Sequence, residues 1–138
     1  MNWYLKVLSE YANFKGRARR KEYWMFYLMH IIIVGVLSFV LIFISGGLDS
    51  TEEPSNLGLT IIGLYILATL VPTIAVTVRR LHDTNRSGWW YLITIIPYIG
   101  KFVLLIFTCM ESYNGVNKWG ENPKGIGNDT LINQIGTE

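Results

Sequence analysis

The fold is decided by residues 23–48, which read YWMFYLMHIIIVGVLSFVLIFISGGL and contain no charged side chain. Two other stretches are similar, since residues 54–78 contain no charge and residues 89–110 contain only Lys101. Each is long enough for a helix that crosses a bilayer core, which takes roughly 20 apolar residues. A soluble domain would need charged side chains on the outer face of each helix. The pattern predicts an all-α integral membrane protein and excludes an ordinary soluble enzyme.

The single cysteine, Cys109, has no partner within the chain, which excludes a secreted disulfide scaffold. We predict one multi-pass membrane domain over residues 1–125, followed by a disordered tail over residues 126–138. Three transmembrane helices are predicted in this domain. They cover about 23–45, 57–79 and 89–110.

The third predicted span is interrupted near its middle by Pro97 and Gly100. It is therefore either one helix kinked at Pro97 or a re-entrant pair of short helices that returns to the side it came from. We favour the kinked span, because each half alone is too short to cross a bilayer.

A short amphipathic helix is predicted before the first span, over residues 3–14. Its apolar residues Trp3, Val7, Tyr11 and Phe14 recur at three- and four-residue spacing, and Gly16 is its expected end. Such a helix lies in the plane of the lipid headgroups. The alternative is a helix docked on the spans.

The positions of Lys and Arg predict the orientation in the membrane. Residues 1–22 contain six of them, residues 79–88 contain three, and residues 46–56 contain none. We therefore expect the N-terminus and the loop 79–88 in the cytoplasm. The segment after Met110 is expected on the opposite side if the third span crosses.

The loop 79–88, with the sequence RRLHDTNRSG, is the densest polar cluster of the chain. Guanidinium groups bind phosphate and carboxylate oxygens, so the loop is a candidate site for an anionic headgroup or a partner protein. The alternative is that these arginines only set the orientation. The candidate residues are Arg79, Arg80, His82, Asp83, Asn85 and Arg86, with Glu22 as a partner on the same side.

Local pairing is also predicted within this loop. If the second helix continues past Val78, Arg79 and Asp83 lie four residues apart on one face and can pair. Ser87 is the expected N-cap of the next helix.

No catalytic or metal-binding residues are predicted. His82 and Asp83 are adjacent in sequence, but adjacent residues seldom orient one another as acid and base, and no nucleophile motif accompanies them. His30, His82 and Cys109 have no metal-ligand spacing. We therefore expect no cofactor.

Two polar residues, His30 and Lys101, fall within the predicted spans. His30 is expected to form a neutral hydrogen bond between helices, with a proton relay as the alternative. Lys101 is a functional candidate, because an intramembrane lysine is costly; its long stem can also reach an interface.

The chain closely resembles the domain-of-unknown-function family 805 in three runs: FKGRARRKEYW at 14–24, RRLHDTNRSGWW at 79–90 and PYIG at 97–100. The segment NKWGENP at 117–123 is similar to the family's ending, with Trp119 and Asn122 as departures. Lys101 is a further departure. The resemblance implies a small multi-pass protein of the bacterial inner membrane and names no activity or substrate.

Together these observations predict a non-enzymatic membrane protein that binds anionic lipid or a partner protein through the loop 79–88. One alternative is a subunit of an oligomeric transporter or channel, with His30 or Lys101 facing its interior. The other is an enzyme acting on lipid headgroups, with His82 and Asp83 as acid and base. The expected partners are membrane lipid, a second copy of the chain or another membrane protein, and no nucleic acid.

Overall fold

A computed structural model describes residues 3–44 and 56–128. The regular elements in this part of the chain are helices, and the one isolated bridge joins Asn117 and Gly120. It contains four α-helices and one 3₁₀ helix. They are α1 (Trp3–Ser9), α2 (Arg20–Ile44), α3 (Asn56–Asp83), the 3₁₀ helix (Gly88–Ile95) and α4 (Ile99–Cys109). The predicted all-α class is confirmed.

Two of these helices, α2 and α3, are long and apolar enough to cross a membrane. The apolar side chains of α2 are largely exposed beyond its first two turns, for example Phe39 and Phe43. A helix that is apolar on all faces, and that the rest of the chain does not cover, is suited to contact with lipid. The acidic connection between the two helices, residues 45–55, lies outside the described residues, as do residues 129–138.

Hydrogen-bonded rings join α2 to α3. The Tyr65 hydroxyl lies 3.1 Å from His30 Nδ1, and the two rings are stacked with centroids 5.3 Å apart. This contact confirms the predicted hydrogen bond of His30 between helices. The same Tyr65 hydroxyl lies 3.1 Å from the Tyr4 hydroxyl, which brings α1 to the pair.

The helix α1 is docked on α2 and α3, as the alternative expects. Val7 is fully buried, and the Tyr4 ring stacks on Phe26 at 5.3 Å. The helix ends at Ser9, five residues before the predicted end. Beyond a turn, Asn13 Oδ1 accepts a hydrogen bond from Lys15 N (3.1 Å), a local bond that competes with helix. Gly16 then adopts a left-handed conformation (φ +84°).

The segment 89–110 is a hairpin, so the favoured kinked span is wrong. After the 3₁₀ helix the chain reverses at Pro97 and Tyr98, and Tyr98 has a positive φ of 63°. A Cβ on Gly100 would lie only 1.8 Å from the Ile93 carbonyl oxygen, so glycine permits the two arms to pack together. A proline followed by a residue with positive φ reverses the direction of the chain, whereas a kinked helix would continue across the membrane.

Both ends of this hairpin lie beside the end of α3. The first arm begins at Ser87, whose side chain accepts from Trp89 N (3.4 Å), which confirms the predicted N-cap. At the other end, the Met110 carbonyl accepts from Arg80 and from Arg20 Nε (2.6 Å). The segment after Met110 therefore lies at the same end as the N-terminal segment, contrary to the expectation for a crossing third span.

The chain after α4 folds back on the helices. Tyr113 N donates to the Asp83 carbonyl (2.8 Å), and Gly115 N donates to the Ile126 carbonyl (2.9 Å). Residues 126–128 of the predicted disordered tail therefore belong to a hydrogen-bonded loop, in which Asn128 Oδ1 accepts from Asn122 N (2.8 Å).

Candidate functional site at the basic end

Three segments meet at one end of the helices: residues 3–22, 79–88 and 110–128. We call this end the basic end, because it contains eleven of the twelve Lys and Arg residues and only five Asp and Glu residues. The buried apolar core lies here as well. It consists of Val7, Ala18, Tyr23, Phe26 and Val76. Charged side chains of the basic end form two clusters, each built around a buried carboxylate, and the other charged side chains lie outside them.

The first cluster, here the Glu22 cluster, contains Lys6, Glu10, Glu22 and Arg79. The Glu22 carboxylate is 1% exposed and accepts from Lys6 Nζ (2.8 Å) and Arg79 Nη1 (3.1 Å). Arg79 Nη1 also pairs with Glu10. Its Nε and Nη2 atoms are buried without a hydrogen-bond partner among the described residues. The cluster balances two cations with two carboxylates and ties α1 to both long helices.

The second cluster, here the Asp83 cluster, contains Arg17, Arg80, Asp83 and Ser112. The buried Asp83 carboxylate accepts from Arg17 Nε (3.0 Å), from Ser112 Oγ (2.6 Å) and from Arg80. Because one carboxylate faces two guanidinium groups, main-chain carbonyls supply the other acceptors. Those for Arg17 include Tyr113 (2.6 Å) and Gly115 (2.7 Å).

Arg80, like Arg17, donates to main-chain carbonyls as well as to Asp83. Its Nε donates to the Thr108 carbonyl (3.1 Å) and its Nη2 to the Met110 carbonyl. Every guanidinium nitrogen of both arginines therefore donates to an acceptor within the chain. This cluster holds the end of the hairpin and the loop 110–128 against α3.

The predicted Arg79–Asp83 pair is not formed, although α3 does continue to Asp83. Successive residues of a helix point about 100° apart, so Arg79 and Arg80 reach different neighbours. Arg79 contacts Glu10, directly after α1, and Glu22, which confirms that Glu22 pairs with an arginine of the loop. Asp83 instead takes Arg80 and the distant Arg17.

The remaining predicted residues of the loop 79–88 lie outside the two clusters, and His82 is buried. His82 Nδ1 lies 3.2 Å from the Gly16 carbonyl, and its ring stacks on Trp119 at 4.5 Å. Burial lowers the pKa of His82, which lies beyond the uncharged part of α3, so its imidazole is neutral at pH 7. Arg86 lies over the Phe107 ring at 4.2 Å. Asn85 is exposed and makes the turn (φ +60°).

A cavity of about 500 Å³, here the interface cavity, opens beside His82. Its polar wall has His82 and Ser87, and its other walls are apolar or aromatic, with Phe14, Val78 and Trp89 among them. Two basic residues are next in sequence to lining residues: Lys15 follows Phe14, and Arg86 precedes Ser87. Within residues 3–44 and 56–128, no cluster of three or more His, Cys, Asp or Glu residues is suited to a metal ion.

Several residues of the clusters were not among the predicted site residues. The sequence prediction uses Arg17 only in the count of basic residues for orientation, and it does not include Glu10 or Ser112 in the site. Their partners are distant in sequence: 66 residues separate Arg17 from Asp83. For Arg17, the resemblance to the family is a signal, because this residue falls within the run at 14–24.

A match to a known protein family covers most of the basic end. A family model described as a protein of unknown function (DUF805) matches residues 11–121. The chain belongs to the DUF805 family. The runs that mark this family, at 14–24, 79–90 and 117–123, are the segments that meet at the basic end, while the run at 97–100 makes the hairpin turn. The DUF805 runs thus coincide with the tertiary contacts of the basic end.

Relatives of this DUF805 chain are found in Escherichia coli K12. It is 46% identical over 124 residues to inner membrane protein YhaI, covering 90% of this chain and 97% of the relative. It is 43% identical over 127 residues to inner membrane protein YhaH, covering 90% and 98%. It is 32% identical over 133 residues to the uncharacterised protein YiiR, covering 82% and 84%. No solved structure matches the chain.

Proposed function

We propose that this DUF805 protein is a non-enzymatic, multi-pass protein of the bacterial inner membrane that binds anionic phospholipid at its basic end. Relatives named as inner membrane proteins and two membrane-length helices support the location. The concentration of Lys and Arg at one end supports a cytoplasmic N-terminus, by the positive-inside rule. With the segment 89–110 as a hairpin, both the N-terminal segment and the loop 110–128 are on the cytoplasmic side.

This proposal is carried by one observation: several Lys and Arg side chains at the basic end belong to neither cluster. Within the described residues, no carboxylate lies within salt-bridge distance of Lys15, Arg19, Lys21 or Arg86. Basic residues beside a membrane attract anionic lipid by about 1 kcal/mol each. Arg17 and Arg80 are engaged within the chain, so lipid binding is assigned to cations outside the clusters. Among these, Lys15 and Arg86 are next in sequence to lining residues of the interface cavity, whereas Lys21 is not.

The interface cavity is the best position for one lipid. Lys15 and Arg86, next in sequence to the lining residues Phe14 and Ser87, are the cations that we assign to the phosphate group. Ser87 supplies a hydroxyl, and neutral His82 supplies a polar edge without charge. The apolar wall of Val78 and its neighbours suits the start of an acyl chain.

The enzyme and transporter alternatives receive less support from the contacts. His82 and Asp83 do not form an acid–base pair: the His82 ring contacts Gly16 and Trp119, and the Asp83 carboxylate contacts Arg17, Arg80 and Ser112. His30 is engaged with Tyr65 on the neighbouring helix.

Native mass spectrometry of the delipidated protein, titrated with phosphatidylglycerol or phosphatidylcholine, tests this proposal. The pair Lys15→Gln and Arg86→Gln is compared with a control pair, Lys21→Gln and Lys124→Gln, which removes two exposed charges away from the cavity. We expect wild type and control to retain phosphatidylglycerol and the first pair to bind it about tenfold more weakly, as for the loss of charge-assisted contacts.

Equal retention of phosphatidylglycerol by all three proteins would overturn the proposed site. Equal retention of phosphatidylcholine by the wild type would overturn the role of charge. Loss of a co-purified protein by the first variant pair, with lipid binding unchanged, would reassign the surface to a protein partner.

A further inference from the structure

A second cavity, of about 470 Å³, lies between α2 and the two arms of the hairpin, and we call it the Lys101 cavity. Unlike the interface cavity, it contains an amino group and several hydroxyl groups among apolar neighbours. Its lining includes Tyr23, Tyr27, Tyr91, Thr94, Lys101 and Leu104. The volume is within the range of small-molecule sites.

Lys101 has no counter-ion within the described residues. No carboxylate there lies within salt-bridge distance of its ammonium group, and the carboxylates of Glu22 and Asp83 are engaged in the two clusters. The uncharged stretches 23–48 and 54–78 contain no acidic residue at all. An unpaired cation at membrane depth is costly, so a partner from outside the chain would stabilise it.

The position of Lys101 is deeper than the basic end. Eight residues of α4 separate it from Cys109, which corresponds to about 12 Å of helix. Met110, directly after α4, contacts Arg80 and Arg20 at the basic end. The phosphate group of a phospholipid lies at the level of the headgroups, next to the basic residues, whereas Lys101 lies farther along α4 from that end.

The hydroxyl groups of the cavity can assist an anion. Thr94 Oγ1 donates to the Tyr91 carbonyl (2.8 Å) and Thr108 Oγ1 to the Leu105 carbonyl (2.9 Å), so the threonine hydrogens are engaged. Tyr27 and Tyr91 line the same cavity as Lys101, and their phenol groups can act as hydrogen-bond donors. Leu104 and Leu105 form an apolar wall next to these donors.

We propose that the Lys101 cavity binds the carboxylate end of a long-chain carboxylic acid taken up from the bilayer. One ammonium group matches one carboxylate, the phenols donate to its second oxygen, and the leucine wall contacts the first carbons of the chain. The remainder of the chain extends into lipid, because the cavity is open on one side. This site is independent of the phospholipid site at the basic end.

Binding of oleic acid and of its methyl ester to the full protein in an uncharged detergent tests the proposal, because the two probes differ in charge and share the chain. We expect the wild type to bind oleic acid at least about tenfold more tightly than methyl oleate, the ratio that a charge-assisted hydrogen bond supplies. Lys101→Met should reduce this ratio to about twofold or less, whereas Lys101→Arg should retain most of it.

Lys124→Met is the matched control, since it makes the same chemical change at an exposed residue outside the cavity. Oleic acid binding unchanged in Lys101→Met, with native helix content by circular dichroism, would overturn the proposal. Equally tight binding of both probes by the wild type would do so too. Displacement of oleic acid by equimolar phosphatidylglycerol would reassign the cavity to phospholipid. The Lys15→Gln and Arg86→Gln pair should bind oleic acid normally, which separates this site from the proposed function.

Discussion

Arg79 and Arg80 are neighbours on α3, yet each belongs to a different buried cluster with a different chemistry. In the Glu22 cluster, one guanidinium nitrogen of Arg79 contacts two carboxylates, and charge is balanced between side chains. In the Asp83 cluster, two guanidinium groups share one carboxylate and bind main-chain carbonyls with their other nitrogens.

The Glu22 cluster therefore depends mainly on the balance of charge, whereas the Asp83 cluster depends on the shape of the guanidinium groups. An ammonium group could replace the single contact point of Arg79. The fork of Arg80 or Arg17 has no such substitute, because it reaches several acceptors at once. The Asp83 cluster also joins more of the chain, since it connects the N-terminal segment, α3, the end of the hairpin and the loop 110–128.

The largest expected effect is that of Asp83→Asn. The substitution keeps the shape but leaves the buried Arg17 and Arg80 without a carboxylate, and breaking a buried ion pair costs about 3–5 kcal/mol. The free energy of unfolding, measured in mild detergent, should fall by that amount. Glu10→Gln is the control in the other cluster; its side chain is 30% exposed, so a loss of about 1 kcal/mol or less is expected. Equal losses would show that the two clusters do not differ as described.

An intermediate effect is expected from exchanging arginine for lysine at the two neighbouring positions. Arg80→Lys should lower the free energy of unfolding by about 2 kcal/mol or more, because several charge-assisted hydrogen bonds are lost. Arg79→Lys should cost about 1 kcal/mol or less, since one ammonium group can still contact Glu10 and Glu22. The same unfolding assay compares the two. A larger loss in Arg79→Lys would contradict the distinction between charge and shape.

The smallest expected effect is a pH dependence that arises beside the Asp83 cluster. Burial lowers the pKa of His82 in the folded state below its unfolded value of about 6.5. Below the unfolded pKa, the unfolded chain therefore binds the proton more readily than the folded one. The contribution of His82 to stability is present above pH 6.5 and is lost as the pH falls through the lowered folded pKa.

Unfolding free energies at pH 8 and pH 5.5, for wild type and His82→Gln, measure this contribution. The substitution also removes the stacking on Trp119 at both pH values, so the informative quantity is the change with pH. We expect a smaller loss on acidification in the variant. An identical loss in both proteins would assign the pH dependence to other groups.

Much of the architecture could be predicted from the sequence because it depends on composition and local order. Stretches without charge indicate helices suited to a membrane, Ser87 indicates an N-cap, and an intramembrane His30 needs a hydrogen-bond partner. The pairing of Glu22 with an arginine of the loop 79–88 followed from both lying on the same side. The shape of segment 89–110 could not be predicted in this way, because its length suits a kinked helix as well as a hairpin.

The sequence by itself determined the all-α class and the presence of long apolar helices suited to a membrane, with the charged residues outside their apolar stretches. Transfer of an uncharged helix into lipid depends on its length and composition, which are local properties. Only the tertiary structure decided that Gly100 packs on Ile93, that Met110 returns to Arg80, and that Arg17 reaches Asp83. These contacts join residues distant in sequence and depend on how each helix is rotated and where the chain reverses.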